Sequence, residues 1–189
     1  MNKSEPAFKF HNENSSFWYQ KSVDLYASAS LIAEARQNCE DKEFLESLEL
    51  KGDYSVSIGC EYPYLMLMGL SFEVILKAIC IETSSEFSQV KHDLQAVAKS
   101  ADVQLSNIEA TQLRLLSDFV LWEGRYPVAK KPPQTMQHWN STRKELWKTE
   151  KILGFEITER SDIFEHESLK SLWLKLQAHY WQKRTFQSA

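Results

Sequence analysis

The chain has 189 residues, of which 43% are hydrophobic and 25% charged, ordinary values for one soluble globular domain large enough to hold a core. A net charge of −4 and a pI near 5.8 exclude a global basic footprint, so any nucleic-acid contact must use a local patch. Five glycines and five prolines are too few for a turn-rich sandwich or barrel, and the Leu/Ala/Glu/Lys-rich segments between them predict an all-α fold.

In chain order, residues 1–13 are polar and read as a flexible N-terminus, followed by one helical domain over 14–189. A first helix is predicted from Ser15 to Asn38, with Ala27, Ala29, Ser30 and Ala33 forming a small-residue stripe that lets a neighbour approach. Residues 40–59 are charged and irregular, with room for one helical turn around Leu45 and Leu48. Pro63 then opens a helix at a first-turn position, where its missing N–H costs little. Its body, Tyr64–Ile81, is apolar all round and should be the central element of the bundle. Gly69 inside it is explained by close contact with the small stripe of the first helix. Glu73 and Lys77 at its middle, and the absence of a flanking basic loop, argue against a membrane span.

A loop over Thr83–Val90 leads to a short helix from His92 to Ala101. Ser106 and Glu109 have capping-box spacing and start a helix carrying Leu113, Leu116, Phe119 and Val120. That helix is expected to end at Gly124 as a left-handed cap. Tyr126–Gln134, with Pro127, Pro132 and Pro133, reads as a loop; it also carries Lys130 and Lys131. Two further helices are predicted, Thr135–Thr149 and Ser161–Arg184. Cys39, Cys60 and Cys80 lack metal-type spacing and read as free thiols of a reducing, cytoplasmic compartment. The N-terminal residues have no apolar signal core.

The order Gly69–Glu73, Lys77-Ala78, His92-Asp93-Leu94 and Trp122-Glu123-Gly124-Arg125-Tyr126-Pro127 resembles a HEPN-type (higher eukaryotes and prokaryotes nucleotide-binding) helical domain over about residues 15–130. The resemblance implies an up-and-down helical bundle, here of five to six helices, often dimeric. It further implies either an RNA- or nucleotide-binding partner protein or an RNase of a toxin or defence system. Active members pair an Arg with a His a few residues later on the last long helix. Arg160 and His166 have such spacing, with Ser161 where Asn or Asp is usual.

Ionisable groups within an apolar run need partners. Glu73 and Lys77 can pair with each other across one helical turn, or Glu73 can hold Arg125. His92 and Asp93 mark a helix start, or form a dyad in which the acid fixes the imidazole tautomer. Arg125 ties its loop to Glu73 or Asp93, or offers a phosphate fork together with Tyr126 and the two lysines. Trp122, Trp139, Trp147, Trp173 and Trp181 read as core or dimer-interface anchors rather than base-stacking platforms. His11, His138 and His179 show no ligand spacing, so neither metal nor cofactor is expected. The functions left open are an RNA-, nucleotide- or partner-binding module, a metal-independent RNase using Arg160 with His166 or Arg125 with His92, and a structural dimerisation domain.

Overall fold

The apolar run at 64–81 forms the axis of the molecule. A computed structural model describes residues 4–87, 92–152 and 155–187; the side chains of residues 4, 148–157, 160 and 186–187 are outside that set. Helix α5 (Glu61–Glu82) buries Tyr64, Met68, Phe72, Ile75, Leu76 and Ile79. Around it lie α2 (Ser15–Asn38), α6 (Leu94–Ser100), α7 (Asn107–Asp118) and α9 (His166–Gln187). The stretch Val56–Glu82 is long and apolar enough to cross a membrane, and 67% of its most apolar window is buried inside the bundle.

Local chemistry sets several boundaries. The Asn14 side chain caps α2 by accepting from the Ser16 N–H at 3.0 Å. Ser106 and Glu109 form the expected capping box on α7. Residues 4–13, read as flexible, form helix α1 (Ser4–Glu13) instead. His11 and Phe10 of that helix rest on the ring of Phe17, and the Trp18 indole donates to the Asn12 carbonyl. The charged stretch after α2 folds as two short helices, α3 (Asp41–Ser47) and α4 (Val56–Gly59).

Two glycines act through contact, and neither as expected. A Cβ on Gly69 would lie 2.7 Å from Val120 Cγ2 and 3.2 Å from the Leu116 carbonyl oxygen. The close neighbour is therefore α7 and its extension, and not the small stripe of α2. Gly124 has φ −69°, a right-handed conformation, so it is no left-handed cap. Its Cβ would sit 2.4 Å from Met66 Cβ, and this approach excludes a side chain.

Beyond Asp118 the chain widens into a π-helical turn, Phe119–Glu123, closed by the Gly124 N–H donating to the Phe119 carbonyl at 3.1 Å. Helix α8 runs from Pro132 to Leu146, with prolines in its first turn where no N–H is missed, so the expected loop ends earlier than read. The predicted helix to Thr149 stops at Leu146. Strands β1 (Trp147–Ile152) and β2 (Phe155–Arg160) form an antiparallel ribbon, paired from Trp147↔Arg160 to Ile152↔Phe155. This ribbon is appended to an otherwise helical bundle. A short 3-10 turn, Asp162–Phe164, leads into α9, which starts at His166 rather than Ser161.

Candidate functional site

Glu73 is buried and bonded on both oxygens. Lys77 Nζ reaches Oε1 at 2.5 Å and His92 Nδ1 lies 2.9 Å from Oε2. The i,i+4 alternative is thus the one formed, and Arg125 is elsewhere. The Arg125 Nη2 donates to the carbonyls of Val120 at 2.9 Å and Leu121 at 2.6 Å, satisfying acceptors freed by the π-turn. The Arg125 side chain remains exposed and lies over the ring of Tyr126, 5.7 Å from its centroid. Asp93 does not orient His92. Its Oδ1 accepts from the Ala96 N–H at 3.0 Å as the cap of α6, so His92 is oriented by Glu73.

Arg160 and His166 do not share a helix. Arg160 ends β2, with its side chain outside the described residues, and His166 begins α9. His166 faces inward, with Nδ1 3.1 Å from the Tyr64 hydroxyl. Burial holds the imidazole below its ordinary pKa and pushes the Tyr64 phenol up. The Tyr64 hydroxyl and His166 Nδ1 thus share one hydrogen bond between uncharged groups. The guanidinium above the Tyr64 ring is that of Arg36, 5.4 Å from its centroid, itself held by the Ser57 carbonyl and Glu61.

The most concentrated buried charge was missed in the sequence. His138 of α8 is 2% exposed, and each ring nitrogen faces a carboxylate. Nδ1 lies 2.7 Å from Asp118 Oδ2, at the end of α7. Nε2 contacts Glu123 Oε2 and lies 3.1 Å from the Thr142 hydroxyl. Phe119 and Trp122 set their edges against the ring. Burial raises the Glu123 pKa against the opposing pull of His138. A trace of this was readable: Glu123 is the next step after Leu113, Leu116 and Val120, which puts an acid on the buried face of the helix. No spacing rule points from there to His138, which is fifteen residues on beyond a loop.

The opposite side of α8 faces outward. Met136, Trp139, Arg143 and Trp147 recur at three- and four-residue spacing and are all exposed, as are Lys130, Lys131 and Lys144. Tyr126 and Val128 expose further apolar surface on the preceding loop. Of the five tryptophans read as anchors, Trp122 and Trp173 are buried, whereas Trp139, Trp147 and Trp181 are 45–48% exposed. Charge follows the same division. The 27 residues from Arg125 to Lys151 hold seven Lys/Arg and two Asp/Glu, a net +5, against −9 for the rest of the chain. A windowed charge count would have found this patch; the whole-chain balance hides it. Among the described residues no group of three His, Cys, Asp or Glu side chains is arranged to hold a metal ion.

No protein-family model, curated protein or solved structure matches the chain.

Proposed function

We propose that this chain is a cytoplasmic, HEPN-like helical module that binds single-stranded RNA on the outward face of α8 and the loop before it. One observation carries the reading: a +5 segment in an acidic protein presents Tyr126, Trp139 and Trp147 among Lys130, Lys131, Arg143 and Lys144. Phosphates are neutralised by such cations, and bases stack on exposed aromatic rings without regard to sequence. Arg125, with a guanidinium half-engaged on carbonyls, flanks the same loop. Glu73, Lys77, His92 and Asp93 support the core and first turn of α6 in this reading, and touch no ligand.

The RNase alternative takes second place. His166 has its Nδ1 engaged by Tyr64, and Arg160 is paired across a ribbon from Trp147. We further propose that the chain forms a homodimer, as the HEPN resemblance implies. Exposed Phe8, Phe10, Phe17 and Leu31 on α1 and α2 supply apolar surface away from the basic face. A cognate protein partner remains a further use of that surface.

The test is fluorescence anisotropy of a labelled single-stranded RNA titrated with the purified chain. Trp139→Ala should weaken binding by about 1–3 kcal/mol, the loss of one stacked base. Trp181→Ala, exposed on α9, should leave binding unchanged. Equal affinities for all three proteins, or no binding by the wild type, would refute the site.

A further inference from the structure

Helix α8, which carries the proposed face, is thinly rooted. Thr135 and His138 are its only buried residues among those described. Thr135 serves the loop, its hydroxyl accepting from the Ala129 N–H at 2.9 Å. His138 supplies the buried polar connection of the N-terminal half of α8 to the bundle, between Asp118 at the end of α7 and Glu123 in the π-turn, while Leu146 at the far end of the helix packs against the core. We infer that the Asp118–His138–Glu123 triad is a proton-dependent latch, with His138 as the positioning residue that sets α8 and its binding face against the bundle. The inference deepens the RNA-binding reading by assigning a control to the same face.

The chemistry follows from the atoms that meet. An ionised carboxylate only accepts hydrogen bonds, and a neutral imidazole has one N–H. Satisfying both contacts thus needs two protons among the three groups: an imidazolium between two carboxylates, or a neutral imidazole with one carboxyl protonated. Removing the second proton leaves one N–H for two carboxylates: directed at the buried Glu123, it sets the Nδ1 lone pair against Asp118 at 2.7 Å, and that contact becomes repulsive. Glu123 has 4% side-chain exposure and Asp118 39%, so burial directs the remaining N–H to Glu123, and the bond to Asp118 at the end of α7 is the one lost.

The other charged and titratable groups along this seam are few. Arg114 of α7 pairs with Glu145 of α8 at 3.6 Å, on the more exposed edge. Tyr62 of α5 lies near Glu123, and its phenol is pushed up by burial and by that carboxylate. The Trp139 indole donates to Glu123, which joins the latch directly to a member of the binding face. Asp162 of the 3-10 turn is exposed. The uncharged Thr142 hydroxyl of α8 lies 3.1 Å from His138 Nε2.

Hydrogen exchange of the free full chain tests the latch, read as protection factors corrected for the intrinsic pH dependence of exchange, with α5 amides as the internal reference. In the wild type, α8 protection should fall about ten- to a hundredfold between about pH 6 and about pH 9, the size of one hydrogen bond to a charged group, while α5 stays protected. His138→Gln should lower α8 protection at the acidic end and remove its pH dependence. Glu123→Gln carries an amide N–H that donates to an unprotonated Nε2, which frees the single imidazole proton for Asp118, and should keep α8 protected across the range. Wild-type α8 protection that is flat with pH, or a Glu123→Gln chain as pH-responsive as the wild type, would overturn the latch. The measurement contains no RNA, so a failure of the binding reading leaves its outcome intact.

Discussion

Gly69 sets how closely α5 and the end of α7 meet. Adding a methyl there gains about 1 kcal/mol of helix propensity. It also drives a Cβ to 2.7 Å from Val120 Cγ2 and 3.2 Å from the Leu116 carbonyl, which as backbone cannot swing aside. Overpacking of this kind costs about 1–3 kcal/mol, so Gly69→Ala should be destabilising in urea titration despite its better propensity. A stabilised variant would show that the helices can separate without cost. Glu73 is decided by its partners in the same way. Glu73→Ala leaves the Lys77 ammonium, 17% exposed, without its carboxylate and frees His92, which is already half in water. A loss of about 1–3 kcal/mol is expected, below that of a fully buried pair. Arg125→Ala should add to it independently, because Arg125 bonds to Val120 and Leu121; a coupling energy above about 0.5 kcal/mol in the double-mutant cycle would restore a Glu73–Arg125 link.

At the scale of elements, α9 is anchored at its first residue by an aromatic contact that responds to acid. Burial keeps His166 and His179 below the usual imidazole pKa of 6.5. The unfolded chain then takes up protons before the folded one, so the stability these residues contribute is complete above about pH 6.5 and is lost as pH falls. Urea midpoints should drop on acidification from neutrality, and His166→Gln with His179→Gln should flatten that slope; an unchanged slope would place the acid sensitivity elsewhere. What could be read in the sequence at this scale followed from short-range rules. The α2 limits, the all-round apolar α5 and the Ser106/Glu109 box are set by residues within a turn of each other. The β1–β2 ribbon was not read, although 155–160 alternate partly and Gly154 precedes them, because 147–152 is dominated by Lys, Thr and Glu and lacks an apolar face. Side-chain pairings across elements were least legible. Glu73 found His92 rather than Arg125, and His138 found two acids, since no local pattern encodes which distant groups a fold brings together.

Over the whole molecule, the charge is separated rather than merely negative. The bundle carries −9 and the Arg125–Lys151 segment +5. A net acidic body repels a phosphate backbone, which favours a bound strand at the basic segment. The same body leaves α1 and α2 with exposed Phe8, Phe10 and Leu31, where a homodimer should form; sedimentation velocity at tens of micromolar should give twice the 22.0 kDa chain mass, and a monomer there would remove the dimer from the account. The central claim, that the basic aromatic face takes a nucleic-acid strand by its phosphates, is tested most directly by the salt dependence of RNA affinity. Each cation that neutralises a phosphate of a single strand contributes about 0.7 to the slope of log affinity against log salt. The account predicts binding that weakens linearly on that plot, with a slope shallower by about 1.4 in the Lys130→Ala, Lys131→Ala variant, two such contacts. A wild-type affinity indifferent to salt, or a slope that the two lysine substitutions leave unchanged, would contradict it.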